Sequence, residues 1–139
     1  MKWILCLMMG LVSISGSAQD NWIVYLNKKA ILNTSEESEE KNIIRISRQA
    51  LKNNNLFTLT YLEQPRQKDW TRSIMVFDSA DQEIKRVKGN KLSYSNAALL
   101  SLLSKHGTIE LYTWSIPNDP ALKERIRVRR VHLCTLVLE

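Results

Sequence analysis

His132 and Cys134 are the residues whose types and spacing in the 139-residue chain best suggest chemistry. In an extended strand, residues two apart share a face, so the imidazole and the thiolate could bind one soft metal ion such as copper(I) or zinc. A complete site needs two or more further ligands, for which the sequence offers His106 and Met75. A metal-binding protein that uses His132 and Cys134 is therefore one hypothesis. The alternative is that both side chains fill the core.

Nucleophilic catalysis by Cys134 with His132 as base would also need an orienting third group and an oxyanion hole. The chain has four glycines and two histidines, which leaves no glycine-rich segment to build such a hole or to cradle a phosphate. A Gly-x-Ser-x-Gly nucleophile elbow is also absent from the sequence. We therefore predict no catalytic residue and no cofactor, and keep an enzyme with an unrecognised site as an alternative.

The first eighteen residues have the pattern of a signal peptide. Lys2 precedes an apolar run over residues 3–12, and small residues follow up to Ala18. We predict cleavage after Ala18, which divides the chain into a signal peptide (residues 1–18) and one β-rich domain (residues 19–139). The apolar run is too short to span a bilayer comfortably, so we expect a periplasmic or secreted protein without a transmembrane span after processing.

The predicted cleavage also determines which cysteines remain in the domain. Cys6 would leave with the signal peptide, so Cys134 would have no partner for an internal disulfide. An unpaired cysteine in an exported protein is either a buried, inert side chain or a reactive thiol. The side of the last strand on which Cys134 lies decides between the two.

Charge is distributed unevenly along the chain, whose formal net charge is +6. An acidic cluster occupies residues 36–40, and a basic run occupies residues 125–130. The basic run could bind an envelope protein, a glycan or an anionic surface, whereas nucleic acid is not expected outside the cell. The alternative is that these side chains form the solvated face of an ordinary strand. The candidate partner-binding residues are Arg125, Arg127, Arg129 and Arg130.

Short β-rich runs separated by turn residues cover most of the predicted domain. Both faces of the run at residues 70–78 are apolar, which predicts an interior strand, whereas the charged residues of the run at 83–87 suit an edge strand. Trp22, Trp70 and Trp114 lie on three separate runs, and we interpret them as core anchors rather than as a platform for sugars. The remaining predicted strands cover residues 22–26, 30–32, 43–46, 56–63, 108–115 and 125–138.

One convincing helix is predicted, over about residues 96–105. Ser95 can cap its first turn, and Gly107 is a natural stop. Asp119 followed by Pro120 predicts one further helical turn, to about Glu124. About seven strands with one inserted helix predict a mainly β protein, either an antiparallel sandwich or a partly closed barrel.

The last predicted strand leaves one question open. Strict alternation would place His132 and Cys134 on the same face as Ile126 and Val128. A bulge near Arg129 and Arg130 would instead place Ile126 and Val128 with Val131, Leu133 and Thr135. The sequence does not decide between these two arrangements.

Two segments, residues 112–120 (YTWSIPNDP) and 127–135 (RVRRVHLCT), resemble stretches of small exported proteins of Bacteroidota-type bacteria, as does the Ser17-Ala18-Gln19 end of the leader. The resemblance covers about the C-terminal quarter of the domain and the leader. It implies a location in the periplasm or outer envelope, and it implies no activity, cofactor or catalytic residue. The leading functional expectation is thus a non-catalytic envelope domain that binds a partner.

Overall fold

The structure, a computed structural model, describes residues 19–139, so the predicted signal peptide lies outside the described residues. Nine strands form two sheets. The four-stranded sheet has the order β2-β1-β4-β7, and the five-stranded sheet has the order β3-β9-β8-β5-β6. The strands are β1 (Asn21–Leu26), β2 (Lys29–Thr34), β3 (Ile43–Ile46), β4 (Leu56–Leu62), β5 (Trp70–Asp78), β6 (Glu83–Lys88), β7 (Lys91–Ser95), β8 (Thr108–Pro117) and β9 (Val131–Leu138).

Alternation along the strands explains the four-stranded sheet. Every second residue of β1 and of β4 is buried, which is the pattern of a sheet with one face on a core. In β4, the buried residues are Phe57, Leu59 and Tyr61, the side that the sequence pattern predicts as the core face.

The five-stranded sheet contains the most buried strands of the molecule. Four consecutive residues of β5 are buried, and the strand lies between β8 and β6, which confirms its prediction as an interior strand. β6 is an edge strand, also as predicted. β3 pairs with β9 in parallel, which the antiparallel prediction did not foresee. Parallel strands need a long connection between them. Eight other elements lie between β3 and β9 along the chain, so the connection is long enough for β9 to run beside β3 in the same direction.

Helix α1 (Asn96–His106) confirms the predicted helix. The Ser95 hydroxyl accepts a hydrogen bond from the Ala98 backbone N–H at 3.1 Å, which satisfies one of the free donors of the first turn. Gly107 ends the helix with φ +74°, a backbone conformation that residues with a Cβ atom rarely adopt. A second helix, α2 (Pro120–Arg125), follows the Asp119 cap as predicted, and a short 3-10 turn covers Gln49–Leu51.

The core lies between the two sheets and receives side chains from both. Leu99 and Leu103 of α1 are fully buried in it. The predicted sandwich is therefore confirmed, with nine strands rather than about seven, and the two sheets do not close into a barrel within residues 19–139. The apolar faces of the two sheets cover each other. Other core residues include Val24, Phe57, Leu59, Ile74, Val76, Leu92, Ile109, Leu111, Leu133 and Leu136.

One side-chain hydrogen bond crosses the core. The Trp22 indole N–H on β1 donates to the Leu133 carbonyl oxygen on β9 at 2.9 Å, and the Trp22 ring stacks on Tyr61 with their centroids 5.9 Å apart. A buried carbonyl that loses its donor costs about 1–3 kcal/mol. This bond therefore stabilises the contact between the two sheets.

We predict that Trp22→Phe lowers the free energy of unfolding by about 2–4 kcal/mol, because it removes the donor to Leu133 together with part of the buried ring. Trp114→Phe is the matched control, since the buried Trp114 Nε1 has no hydrogen-bond partner among the described residues. It should cost less than about 1 kcal/mol. Urea denaturation measures both, and equal losses would contradict the role given to the Trp22 bond.

Candidate functional site

The pairing of β8 with β9 answers the question of where His132 and Cys134 point. Leu111 lies opposite Cys134, Tyr112 lies opposite His132, and the ladder skips Leu133. Because Leu111 and Tyr112 are consecutive in their strand, they point to opposite faces, and so do their partners. The bulge is thus at Leu133 rather than near Arg129 and Arg130. The structure does not bring His132 and Cys134 together.

Cys134 belongs to the core. Its side chain is fully buried in the hydrophobic cluster, and it is a free thiol. Burial raises the pKa of the thiol to about 12, because the charged thiolate would lose its hydration. The thiolate is the form that attacks substrates and binds metals. Cys134 is therefore held in its unreactive form.

His132 is also buried, with 1 % of its surface exposed, but on the other face of the five-stranded sheet. Its Nε2 lies 2.8 Å from the Thr135 hydroxyl, and its ring meets the Tyr112 ring edge-on at 5.4 Å. Burial lowers the pKa of the imidazole below its ordinary value, while the charges of nearby glutamates, Glu39 above all, partly offset this effect. The side chain is therefore neutral near pH 7.

The other predicted metal ligands do not complete a site. Met75 is buried in β5, and His106 is in the last turn of α1. Within residues 19–139, no group of three or more His, Cys, Asp or Glu side chains is arranged to hold a metal ion. The hypothesis of a metal site on His132 and Cys134 gains no support from this geometry.

The predicted basic run is divided between a helix end and an extended segment. Arg125 ends α2, and β9 begins only at Val131, later than the sequence predicts. We call residues 125–130 the arginine segment. Arg125 and Arg127 are exposed and enter no ion pair within the described part of the chain. They are the free cations of this segment.

The other two arginines are bound within the molecule. Arg129 forms a 2.8 Å ion pair with Glu37, which joins the basic run to the acidic cluster that precedes β3. Arg130 forms a 2.6 Å ion pair with Asp81 in the turn between β5 and β6. Its guanidinium also lies 4.7 Å from the centroid of the Phe77 ring and 4.3 Å from that of Tyr112. Arg130 therefore holds the segment against the five-stranded sheet, and Arg129 ties it to the loop before β3.

A cleft at one end of the sandwich was not predicted. It has a volume of about 690 Å³ and lies where β4 ends, β5 begins and β6 turns into β7. We call it the end cleft. Its lining combines amides, cations and the partly exposed Trp70 ring: Leu62, Glu63, Gln64, Arg66, Gln67, Lys68, Trp70, Thr71, Arg72, Gly89 and Asn90.

Arg72 forms the base of the end cleft, with 11 % of its side chain exposed. Its Nε lies 2.5 Å from a Glu63 carboxylate oxygen, and its Nη1 donates to the Thr113 hydroxyl at 3.0 Å. The guanidinium also stacks over the Tyr61 ring at 4.0 Å. The Tyr61 hydroxyl in turn donates to Asp20 at 2.8 Å. These contacts fix the charged groups under the cleft, and burial raises the pKa of Tyr61, which stays protonated.

Sequence reasoning missed the end cleft although one signal was present. Arg72 is a charged residue two positions before the apolar run Ile74–Phe77 of a predicted interior strand, and a charge at such a position has to find partners. Those partners, Asp20, Tyr61, Glu63 and Thr113, come from three separate parts of the chain: the residue before β1, the end of β4, and β8. Of the three tryptophans interpreted as core anchors, Trp22 is buried in the core, whereas Trp70 lines the end cleft and Trp114 lies under the Arg86 guanidinium at 4.8 Å.

Comparison with known proteins gives no relative from which to transfer a function. No protein-family model matches the chain, and no curated protein is significantly similar to it. Function can therefore be inferred only from the residues of this chain.

We predict that His132 makes stability fall with decreasing pH. Above the ordinary histidine pKa of 6.5, His132 is neutral in both the folded and the unfolded chain. Below 6.5, the unfolded chain binds a proton at His132 more readily than the folded chain, in which burial lowers the pKa, so protonation favours unfolding. Each unit between the two pKa values is worth about 1.4 kcal/mol. His132→Gln should therefore flatten the decline in unfolding free energy between about pH 7.5 and pH 5.5. Urea denaturation at both pH values measures the slope, and an unchanged slope in His132→Gln would contradict the prediction.

Proposed function

We propose that this protein is a non-catalytic binding domain of the cell envelope, and that the free cations of the arginine segment contact an anionic surface there. The observation that carries the proposal is the exposure of Arg125 and Arg127 beside two arginines that are bound within the molecule. The bound pair fixes the segment, so the free pair is presented with a smaller loss of conformational entropy on binding.

The electrostatics of the segment support an anionic partner. Lys123, on α2, adds a third exposed cation that enters no ion pair within residues 19–139, and Glu124 is the only acidic residue in the sequence from 120 to 130. Like charges held close together raise the local positive potential, which attracts anions over about a Debye length, roughly 8–10 Å at physiological salt. Guanidinium groups also bind carboxylates and phosphates through paired hydrogen bonds.

The chemistry of His132 and Cys134 favours binding over catalysis. The thiol is fully buried with a raised pKa, and the imidazole lies on the opposite face of the sheet. A nucleophile and its base need to be within hydrogen-bond reach of each other. This pair therefore gives no basis for an activity.

The envelope location is part of the proposal. Support comes from the signal-peptide pattern that ends at Ala18 and from the resemblance of the segments 112–120 and 127–135 to exported bacterial proteins. None of the helices in residues 19–139 is both long and apolar enough to cross a membrane.

The proposal predicts that Arg125→Glu/Arg127→Glu weakens salt-sensitive binding to an anionic surface. Each cation near such a surface contributes about 1 kcal/mol, so reversing two should weaken binding by about tenfold or more. Sedimentation with vesicles that contain phosphatidylglycerol, and capture from envelope extract at low and high salt, measure the effect.

Lys29→Glu/Lys52→Glu is the matched control, because it makes the same charge change at two exposed lysines that enter no ion pair among residues 19–139. It should bind like the original protein, and both double variants should unfold at the same temperature. Unchanged binding by the arginine variant, or an equal loss in the lysine control, would refute the role of the arginine segment.

A further inference from the structure

The end cleft has the size and the composition of a ligand site. Its volume of about 690 Å³ is within the range of small-molecule pockets, roughly 300–1,000 Å³. Its walls come from both sheets: Leu62 ends β4, Trp70 begins β5, and Gly89 and Asn90 form the turn from β6 to β7. Because these elements are also held by the core, the cleft is formed before any ligand arrives.

Hydrogen bonds fix the mouth of the cleft. The Gln64 backbone N–H donates to Asp20 at 2.8 Å, and the Gln67 backbone N–H donates to Glu63 at 3.3 Å. Opposite them, the Gly89 backbone N–H donates to the Arg72 carbonyl oxygen at 2.8 Å. The loop between β4 and β5 is thus tied to the charged base of the cleft.

The cleft has a positive charge available for a ligand. The two carboxylates beneath it are already engaged, Glu63 by Arg72 and Asp20 by both Tyr61 and Arg72. Arg66 and Lys68 line the opening, are exposed, and enter no ion pair within residues 19–139. Asp69 follows Lys68 in the sequence but does not line the cleft. The free charges that line the cleft are therefore cationic.

The remaining lining residues select the kind of anion. The amides of Gln64, Gln67 and Asn90 can both donate and accept hydrogen bonds, which matches the hydroxyl groups of a sugar. The partly exposed Trp70 ring offers a flat apolar surface against which a sugar ring can lie. A bare phosphate or a lipid headgroup would use the cations and leave the amides and the indole without a function.

We propose that the end cleft binds an acidic oligosaccharide, with Trp70 under a sugar ring, the amides on its hydroxyls, and Arg66 and Lys68 on its carboxylate or sulfate groups. This site is separate in sequence and in residues from the arginine segment, so it goes beyond the proposed function and can stand or fall without it.

The test is isothermal titration calorimetry of the full chain with trigalacturonate, and with the methyl-esterified trisaccharide, which keeps the hydroxyls and lacks the charges. Trigalacturonate should bind, and the ester should bind at least about tenfold more weakly. A sulfated trisaccharide distinguishes the two sources of negative charge. Failure of both acidic probes to bind overturns the proposal.

Variants locate the binding site. Arg66→Glu/Lys68→Glu should weaken trigalacturonate binding by about tenfold or more, while Lys29→Glu/Lys52→Glu should leave it unchanged. Trp70→Leu should weaken the binding of the acid and of the ester alike, and circular dichroism with thermal melts checks that each variant is folded. Retained affinity in Arg66→Glu/Lys68→Glu overturns the proposal, and so does a loss confined to Arg125→Glu/Arg127→Glu, which would move the sugar to the arginine segment.

Discussion

The hydrogen bond from the Trp22 indole to the Leu133 carbonyl oxygen is the contact on which the arrangement of the molecule depends. It joins a strand of one sheet to a strand of the other at the residue that the β8–β9 ladder skips. The skip reverses the side-chain alternation of β9, so that Cys134 enters the core and His132 contacts Tyr112 on the far face. A single bulge thus places His132 and Cys134, the two side chains best suited to act together chemically, on opposite faces of the sheet. The core is well packed as a result, and the two side chains form no reactive pair.

The charged side chains also divide into two kinds: those that stabilise the fold and those that are free to contact a partner. Arg72 connects both sheets and the chain near Asp20, and Arg130 covers two aromatic rings on the outer face of the five-stranded sheet. These guanidinium groups stabilise the fold and are not free for a partner. Among the exposed cations that enter no ion pair within residues 19–139, two groups lie at the proposed binding surfaces, one in the arginine segment and one at the end cleft. An anionic partner is consistent with both groups, because exposed cations without ion pairs lose the least when they bind.

Local signals made much of the fold predictable from the sequence. Ser95 and Gly107 define the ends of α1 because a cap and a positive φ depend only on neighbouring residues, and the apolar faces of β5 indicate its interior position. The bulge at Leu133 could not be predicted, since it depends on which residues of β8 lie opposite. The end cleft was missed for a related reason: Asp20 and Tyr61 are 41 residues apart in sequence, and only the folded chain brings them to Arg72.

Hydrogen exchange at the Trp22 indole tests the central claim most directly, because the Nε1–H signal of a tryptophan can be followed by NMR in the intact chain. If the bond to Leu133 is present, the indole proton should exchange as slowly as the most protected backbone amides of β5 and β8, since both would require the sandwich to open. Exchange at the rate of a solvent-exposed indole, in a protein whose core amides remain protected, would contradict the bond from Trp22 to Leu133 and its role in joining the two sheets.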